Sequence, residues 1–273
     1  MKKKLTDKVT SGEKSTLAKL IVRCLENEGV KYAFGIPGEE NIHFIDALNR
    51  SSIRFILAHH EQSASFMADM YGRVTGTAGI CVGTVGPGAI NLLLGTADAH
   101  TDSVPLVAIS AQVGLNREYK ETHQFVDLVS MFKPVTKWAA EIKVPIAVPE
   151  MVRKAFKVAQ TERPGSCYIG VPQDLEAVSV SPDLRPLPRS KVYDSAPSPS
   201  QVCRAMKVLE EANSPIVLAG HGAARDNAQD ALIRFSEHLH IPVATTFMGK
   251  GVFPDMHPNA LGTVGFMRHD YVN

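Results

Sequence analysis

Behind a polar start, Leu17, Leu20, Ile21, Cys24 and Leu25 recur at helical spacing, with Ser15 or Thr16 placed to cap the helix and Gly29 to end it. Such a face has to be buried. Residues 32–34 then read as a short strand, Gly35-Ile36-Pro37-Gly38 as a turn, and 42–48 as a second helix with one apolar side. The alternation repeats with strand 53–58, helix 63–74, strand 80–85, helix 89–99 and strand 106–109. Helix 149–160, with Pro149 in its first turn, and strand 167–171 complete the series. Short apolar strands interleaved with amphipathic helices predict an α/β fold, a parallel sheet with helices on both faces.

Between 178 and 200 the periodicity disappears and Pro182, Pro186, Pro188, Pro197 and Pro199 occur among Ser, Arg and Asp, the composition of a semi-rigid linker. The predicted organisation is a polar tail (1–14), a first domain (15–177), the linker (178–200) and the start of a second, Rossmann-like α/β domain (201–273). That second unit reads as helix 201–211, strand 216–219, helix 227–240 and strand 243–245. Two parallel strands leave long bare edges, so the unit is expected to be incomplete.

Length and composition narrow the classes. At 273 residues two domains are expected on a prior of roughly 150 residues each. Apolar residues at 44% and charged residues at 21% fit a globular protein. Lys plus Arg number 29 against 28 Asp plus Glu, so no basic field exists to hold a phosphate backbone, and nucleic acid is not expected as a partner. Lys2-Lys3-Lys4 resembles the head of an export signal, but Thr6, Asp7, Lys8, Glu13 and Lys14 follow where an apolar stretch is required. No run approaches the ~18 apolar residues of a membrane span. A soluble, cytoplasmic protein is expected. Cys24, Cys81, Cys167 and Cys203 are widely spaced inside apolar patterns and read as buried free thiols.

Ligands of open parallel sheets collect at the carboxyl ends of the strands. Three turns stand out there. Gly35-Ile36-Pro37-Gly38 lets backbone approach a flat ligand. His59-His60-Glu61-Gln62 sets an acid where a strand ends and a helix begins. Gly86-Pro87-Gly88, with Asn91 in the next helical turn, can offer backbone N–H groups to an anion or a polar ring. Singly each has a plain alternative. Glu61 would be a favourable charge at a helix start, Gly86-Pro87-Gly88 lacks the third glycine of a dinucleotide fingerprint, and Gly220-His221-Gly222 would be a tight turn. The histidines offer no HExxH, and His238 and His240, two apart on a helix, face different ways, so no metal site is expected in this chain.

In order and at this spacing, the turns resemble a known family. GVKYAFGIPGEENIHFIDAL, FILAHHEQSASFMADMYGRVTG and GICVGTVGPGAINLLLGTADAHTDSVPLVAISAQV are similar to the amino-terminal pyrimidine-binding domain of thiamine-diphosphate enzymes, most of all acetolactate synthase catalytic subunits. THQFVD, FKPVTKWAAE and RPGSCYIGVPQD continue the likeness, and PIVLAGHGAARDNAQDALIRFSEHLHIPVATTFMGKGVFPDMHPNALGTVG resembles the start of the central domain.

The resemblance implies that Glu61 is the catalytic glutamate, hydrogen-bonded to the pyrimidine ring nitrogen of thiamine diphosphate. A carboxyl there favours the imino form of the aminopyrimidine, which takes the proton from the thiazolium C2. Pro37 and Gly38 would wall the pyrimidine, Gly86, Pro87 and Gly88 would lie along the cofactor, Asn91 would steady that turn, and Gln124 would stand near the reaction centre. His123 before Gln124 is like the catabolic, flavin-independent branch, whereas many biosynthetic members carry Phe. Glu39 and Gln173 also depart from the biosynthetic pattern. Phe247-Met248-Gly249-Lys250-Gly251 resembles that pattern, while His221 stands where a third glycine would let a flavin approach, and the expectation is that FAD is not required.

The family continues into a domain whose GDG motif and later Asn bind Mg2+ and the diphosphate, and no GDG occurs in this sequence. The chain is therefore expected to lack the diphosphate-binding domain and to be inactive alone. The implied reaction is decarboxylation of pyruvate and transfer of the hydroxyethyl unit to a second 2-ketoacid, as in branched-chain amino acid biosynthesis. The implied assembly is a homodimer or homotetramer, with room for a regulatory subunit. Two rivals stay open. One is another thiamine-diphosphate-dependent 2-ketoacid decarboxylase or carboligase, among which glyoxylate carboligase departs from the glutamate pattern that Glu61 keeps. The other is a non-catalytic member that associates with a complete subunit.

Overall fold

The computed structural model describes residues 15–189 and 196–265, so the polar tail at 1–14 lies outside the described residues. The chain divides into two compact units, Met1–Asp194 and Ser195–Asn273.

In the first unit, helix α1 (Leu17–Glu28) starts where Thr16 Oγ1 accepts from the Lys19 N–H at 3.4 Å and stops at Gly29, whose φ of +88° suits glycine. Strand β1 (Tyr32–Gly35), α2 (Ile42–Asn49), β2 (Arg54–Leu57), α3 (Glu61–Thr75) and β3 (Gly79–Gly83) follow. After them come α4 (Pro87–Asn91), α5 (Leu93–Thr101), β4 (Leu106–Gln112), α6 (Leu128–Phe132), β5 (Trp138–Glu141), α7 (Val148–Gln160), β6 (Ser166–Pro172) and α8 (Gln173–Glu176). The sheet runs β2-β1-β3-β4-β6-β5 and every pairing is parallel.

The strand period of two sorts the core into two layers. Ile80, Val82, Val107, Ile109, Cys167 and Ile169 pack with Leu20, Ile21, Leu25, Val152 and Phe156 of α1 and α7. The intervening Cys81, Ala108 and Tyr168 pack with Ala68, Leu92 and Ala99 on the opposite face. Both faces of the sheet are covered, as the sequence pattern predicts.

Local boundaries differ from expectation for physical reasons. Helix α3 begins at Glu61 rather than 63, because His60 serves as its cap, Nδ1 accepting from the Gln62 N–H at 3.1 Å. The single helix expected over 89–99 is two, divided at Leu92. Strand β5 and helix α6 have no counterpart in the sequence reading. Trp138–Glu141 is a half-buried edge strand without clean alternation.

In the second unit, α9 (Pro199–Glu210), β7 (Val217–Ala219), α10 (His221–Arg225), α11 (Gln229–Leu239), β8 (Val243–Thr245) and β9 (Ala260–Thr263) form a parallel three-stranded sheet, β7-β8-β9. The two-strand expectation is thus corrected by β9, whose register shifts at Val243/Ala244 and which has only half-buried residues. Ala219, Val243, Val252 and Phe253 make the core. Helix α11 is shorter than the expected 227–240, because Asn227 and His240 both take φ +53° and bound it. One cysteine also departs from expectation. Cys24, Cys81 and Cys167 are buried free thiols, but Cys203 is exposed, since α9 buries none of its side chains.

Candidate active site

The three unusual turns all lie where β1, β2 and β3 end. From β1 the chain moves to β2 on one side, whereas from β3 it moves to β4 on the other. Such a reversal of strand order opens a crevice at the carboxyl ends of the strands. Glu61, Asn91, Gly38, Gly86 and Gly88 are all carried to this end of the sheet.

Glu61 is the first residue of α3 and is buried, with 8% of its surface exposed. The helix start favours a negative charge there. Asn91, the last residue of α4, donates from Nδ2 to Glu61 Oε2 at 3.0 Å. Among the described residues Oε1 has no hydrogen-bond partner. One oxygen of a buried carboxyl is held and the other is left for a ligand group.

Gly86 enters α4 with φ +54°, and a Cβ there would meet Gln124 O at 2.3 Å. A Cβ at Gly88 would meet Thr84 Cγ2 at 2.6 Å and Glu61 Oε1 at 3.2 Å, and one at Gly38 would meet Thr84 Oγ1 at 2.4 Å. The lack of a side chain at these positions is thus required by the protein's own packing, which draws the turns together into a continuous wall. Gln124, at φ +61°, is exposed and set against Gly86 rather than against Glu61. Pro37 is exposed on the rim beside Gly38.

Two further residues build the site without having been singled out from sequence. Asn41 is buried, accepts from the Gly38 N–H at 2.8 Å and donates to Gly83 O at 3.2 Å and Ile36 O at 3.3 Å, tying the end of β1 to the end of β3. Thr84 packs against both Gly38 and Gly88, and its hydroxyl donates to Glu40 Oε2 at 2.9 Å. A signal for Asn41 was present. Pro-Gly-x-x-Asn occurs twice, at 37–41 and 87–91, each after a strand. In the first copy the Asn binds backbone, and in the second it binds the acid.

Among the described residues no group of three or more His, Cys, Asp or Glu side chains is arranged to hold a metal ion. His240 is not on the helix with His238 but caps it. Gly220 and His221 begin the short α10, with Gly249 packed so closely that a Cβ would meet Ala219 O at 2.4 Å. No helix among the described residues is long and apolar enough to cross a membrane.

Comparison with known proteins bears on this geometry. Residues 15–131 match the family model for the thiamine pyrophosphate enzyme N-terminal TPP binding domain, and residues 202–273 match the thiamine pyrophosphate enzyme central domain. The chain is 41% identical over 254 residues to a probable acetolactate synthase large subunit of Methanocaldococcus jannaschii, covering 91% of this chain and 43% of that protein. It is 37% identical over 257 residues to an acetolactate synthase large subunit of Corynebacterium glutamicum, covering 93% and 41%. With a glyoxylate carboligase of Escherichia coli O157:H7 it shares 36% identity over 255 residues, covering 91% and 42%. The chain spans less than half the length of these relatives. With a buried acid at a strand-order reversal and two successive domain models matched in order, the chain belongs to the thiamine pyrophosphate enzyme family.

Proposed function

We propose that this chain supplies the pyrimidine-binding wall of an acetolactate synthase-like carboligase acting on pyruvate and a second 2-ketoacid. The observation that carries the reading is Glu61, a buried acid with Oε2 held by Asn91 and Oε1 unpaired among the described residues. That donor set fits an aminopyrimidine, whose ring nitrogen can share a proton with a desolvated carboxyl. When bound, thiamine diphosphate supplies a carbon nucleophile able to attack a ketoacid carbonyl. Glu61 holds and returns a proton at the pyrimidine ring nitrogen. Gly38 and Pro37 orient the ring, Gly86, Pro87 and Gly88 line its path, and Gln124 faces the substrate side. On this reading residues 15–177 are the pyrimidine domain, 178–200 the linker and 201–273 part of the central domain.

The exposed apolar residues Phe66, Met67, Met70 and Val74 along α3, the helix that Glu61 opens, support pairing with a second subunit. Mg2+ and the diphosphate would be held by residues other than the described ones, in a cytoplasmic homodimer or homotetramer. Because the chain spans less than half of its relatives, the 273 residues alone are expected to form no acetolactate. Tight, Mg2+-dependent binding of thiamine diphosphate by this chain in calorimetry would refute that. FAD is not required on this reading, since His221 puts a side chain where close flavin approach needs glycine. A yellow full-length protein that loses activity on stripping and regains it with FAD would overturn this point.

The test of the central claim is Glu61→Gln in the full-length protein. Loss of the acid lowers C2 proton exchange of bound thiamine diphosphate by orders of magnitude. Unchanged exchange removes Glu61 from its role.

A further inference from the structure

Three polar side chains at this end of the sheet are committed to other partners. Asn41 is spent on Gly38, Ile36 and Gly83, and the Thr84 hydroxyl on Glu40. His60 Nδ1 is engaged by the Gln62 N–H. Among the described residues only the Asn91 amide reaches the Glu61 carboxyl. Asn91 is itself fixed, because its one-turn helix is set by Gly86 at φ +54° and closed by Ile90 N–H to Gly86 O at 2.9 Å. An ionised carboxyl presents only acceptors, so the contact requires the NH2 end of the amide to face Oε2.

We infer that Asn91 is a positioning residue that divides the labour between the two oxygens of Glu61. Its amide holds Oε2 as an acceptor and turns Oε1 toward the space over Gly88, so the proton that Glu61 exchanges resides on Oε1. This deepens the pyrimidine-binding reading and rests on it for its chemical meaning, but the Asn91–Glu61 link can be tested without cofactor.

The experiment is a double-mutant cycle on the 273-residue chain, using thermal unfolding at pH 5 and pH 8 of the parent, N91D, E61Q and E61Q/N91D. N91D faces one carboxylate with another, and its melting midpoint falls by about 3–6 °C at pH 8 and by less at pH 5. E61Q/N91D restores an amide-to-carboxylate hydrogen bond with its direction reversed and recovers most of the loss. His59, His60 and Glu40, the other ionisable side chains beside the site, are common to all four chains, so their effects cancel. A loss equal at both pH values and unrecovered in the double variant would mean that Asn91 only fills space, and would overturn the inference. If N91D does not fold, the Asn91 side-chain amide resonances decide. They move and exchange faster in E61Q than in the parent if the link exists, and unchanged resonances overturn it. A second arm adds millimolar thiamine to the 15N-labelled parent chain. Perturbed Gly88 and Glu61 amides support both readings. A positive cycle with both amides unmoved upholds the hold of Asn91 on Glu61 and counts against the pyrimidine-binding reading instead.

Discussion

Gly88 abuts the carboxyl of Glu61 so closely that a Cβ at position 88 would stand 3.2 Å from Oε1 and 2.6 Å from Thr84 Cγ2. Gly88→Ala therefore strains a packed turn and pushes the acid from its place. The expected cost is about 1–3 kcal/mol in urea unfolding. Gly88→Ala/Thr84→Ser, which removes the obstructing methyl, should recover most of that stability, and no recovery would show that the strain lies elsewhere.

Glu176 is buried, with Oε2 accepting from the Phe44 N–H at 3.1 Å and Oε1 without a partner among the described residues, and burial pushes its carboxyl up to about 8. The folded chain therefore holds a proton that the unfolded chain releases near pH 4.5. Stability from this group is fully present below that pH and is lost as pH rises toward about 8. Glu176→Gln should abolish this part of the slope and unfold later than the parent at pH 8.5, by on the order of a few kcal/mol. Comparing the two chains cancels Glu28 and Glu141, which burial pushes up to about 7. Parallel pH profiles would contradict the assignment.

Arg73 gathers three carboxylates, Asp69 at 2.9 Å, Asp102 at 2.8 Å and Asp98 at 3.0 Å, and so fastens α3 to α5 and the turn after it. Asp69 is the buried member, and Arg73→Gln strands it without a cation. A loss of about 2–4 kcal/mol is expected in denaturant unfolding, with Arg73→Lys intermediate because a point charge cannot fork between partners. A loss below about 0.5 kcal/mol would mark the cluster as a solvated surface group.

Thiol reactivity provides an inexpensive check of α9. Cys203 should react with an aromatic disulfide reagent in the native chain, whereas Cys24, Cys81 and Cys167 should react only on unfolding. Burial pushes the Cys24 and Cys167 thiols up to about 12 and raises Cys81 as well. Four equally reactive thiols would refute the packing of the first sheet.

The elements with a strong period are legible in the sequence. Leu17 to Leu25 announced α1, and the continuous apolar strands at 80–85, 106–109 and 167–171 announced the interior of a parallel sheet. Trp138–Glu141 was not legible, because an edge strand buries only half of each side chain and leaves no alternation to read. Strand β9 escaped for the same reason. Cys203 misled because α9 carries an amphipathic pattern that buries nothing among the described residues. At the site, Glu61 and Asn91 could be named singly from their places after strands. Their contact could not, since it joins residues 30 apart through a sheet order that periodicity does not reveal. The residue-by-residue roles came from the family's motifs and not from spacing.

The placement of β1 between β2 and β3 has a consequence for how the protein comes into being. Glu61 arrives with one neighbour of β1 and Asn91 with the other, in the touching helices α3 and α4, so no hairpin or single βαβ unit contains both. In the folded chain β2 and β3 both pair with β1, one on each side, and such non-local pairings are of the kind that slow folding. A nascent or partly unravelled chain therefore lacks the Asn91–Glu61 hydrogen bond, which belongs to the assembled sheet and not to any one of its pieces.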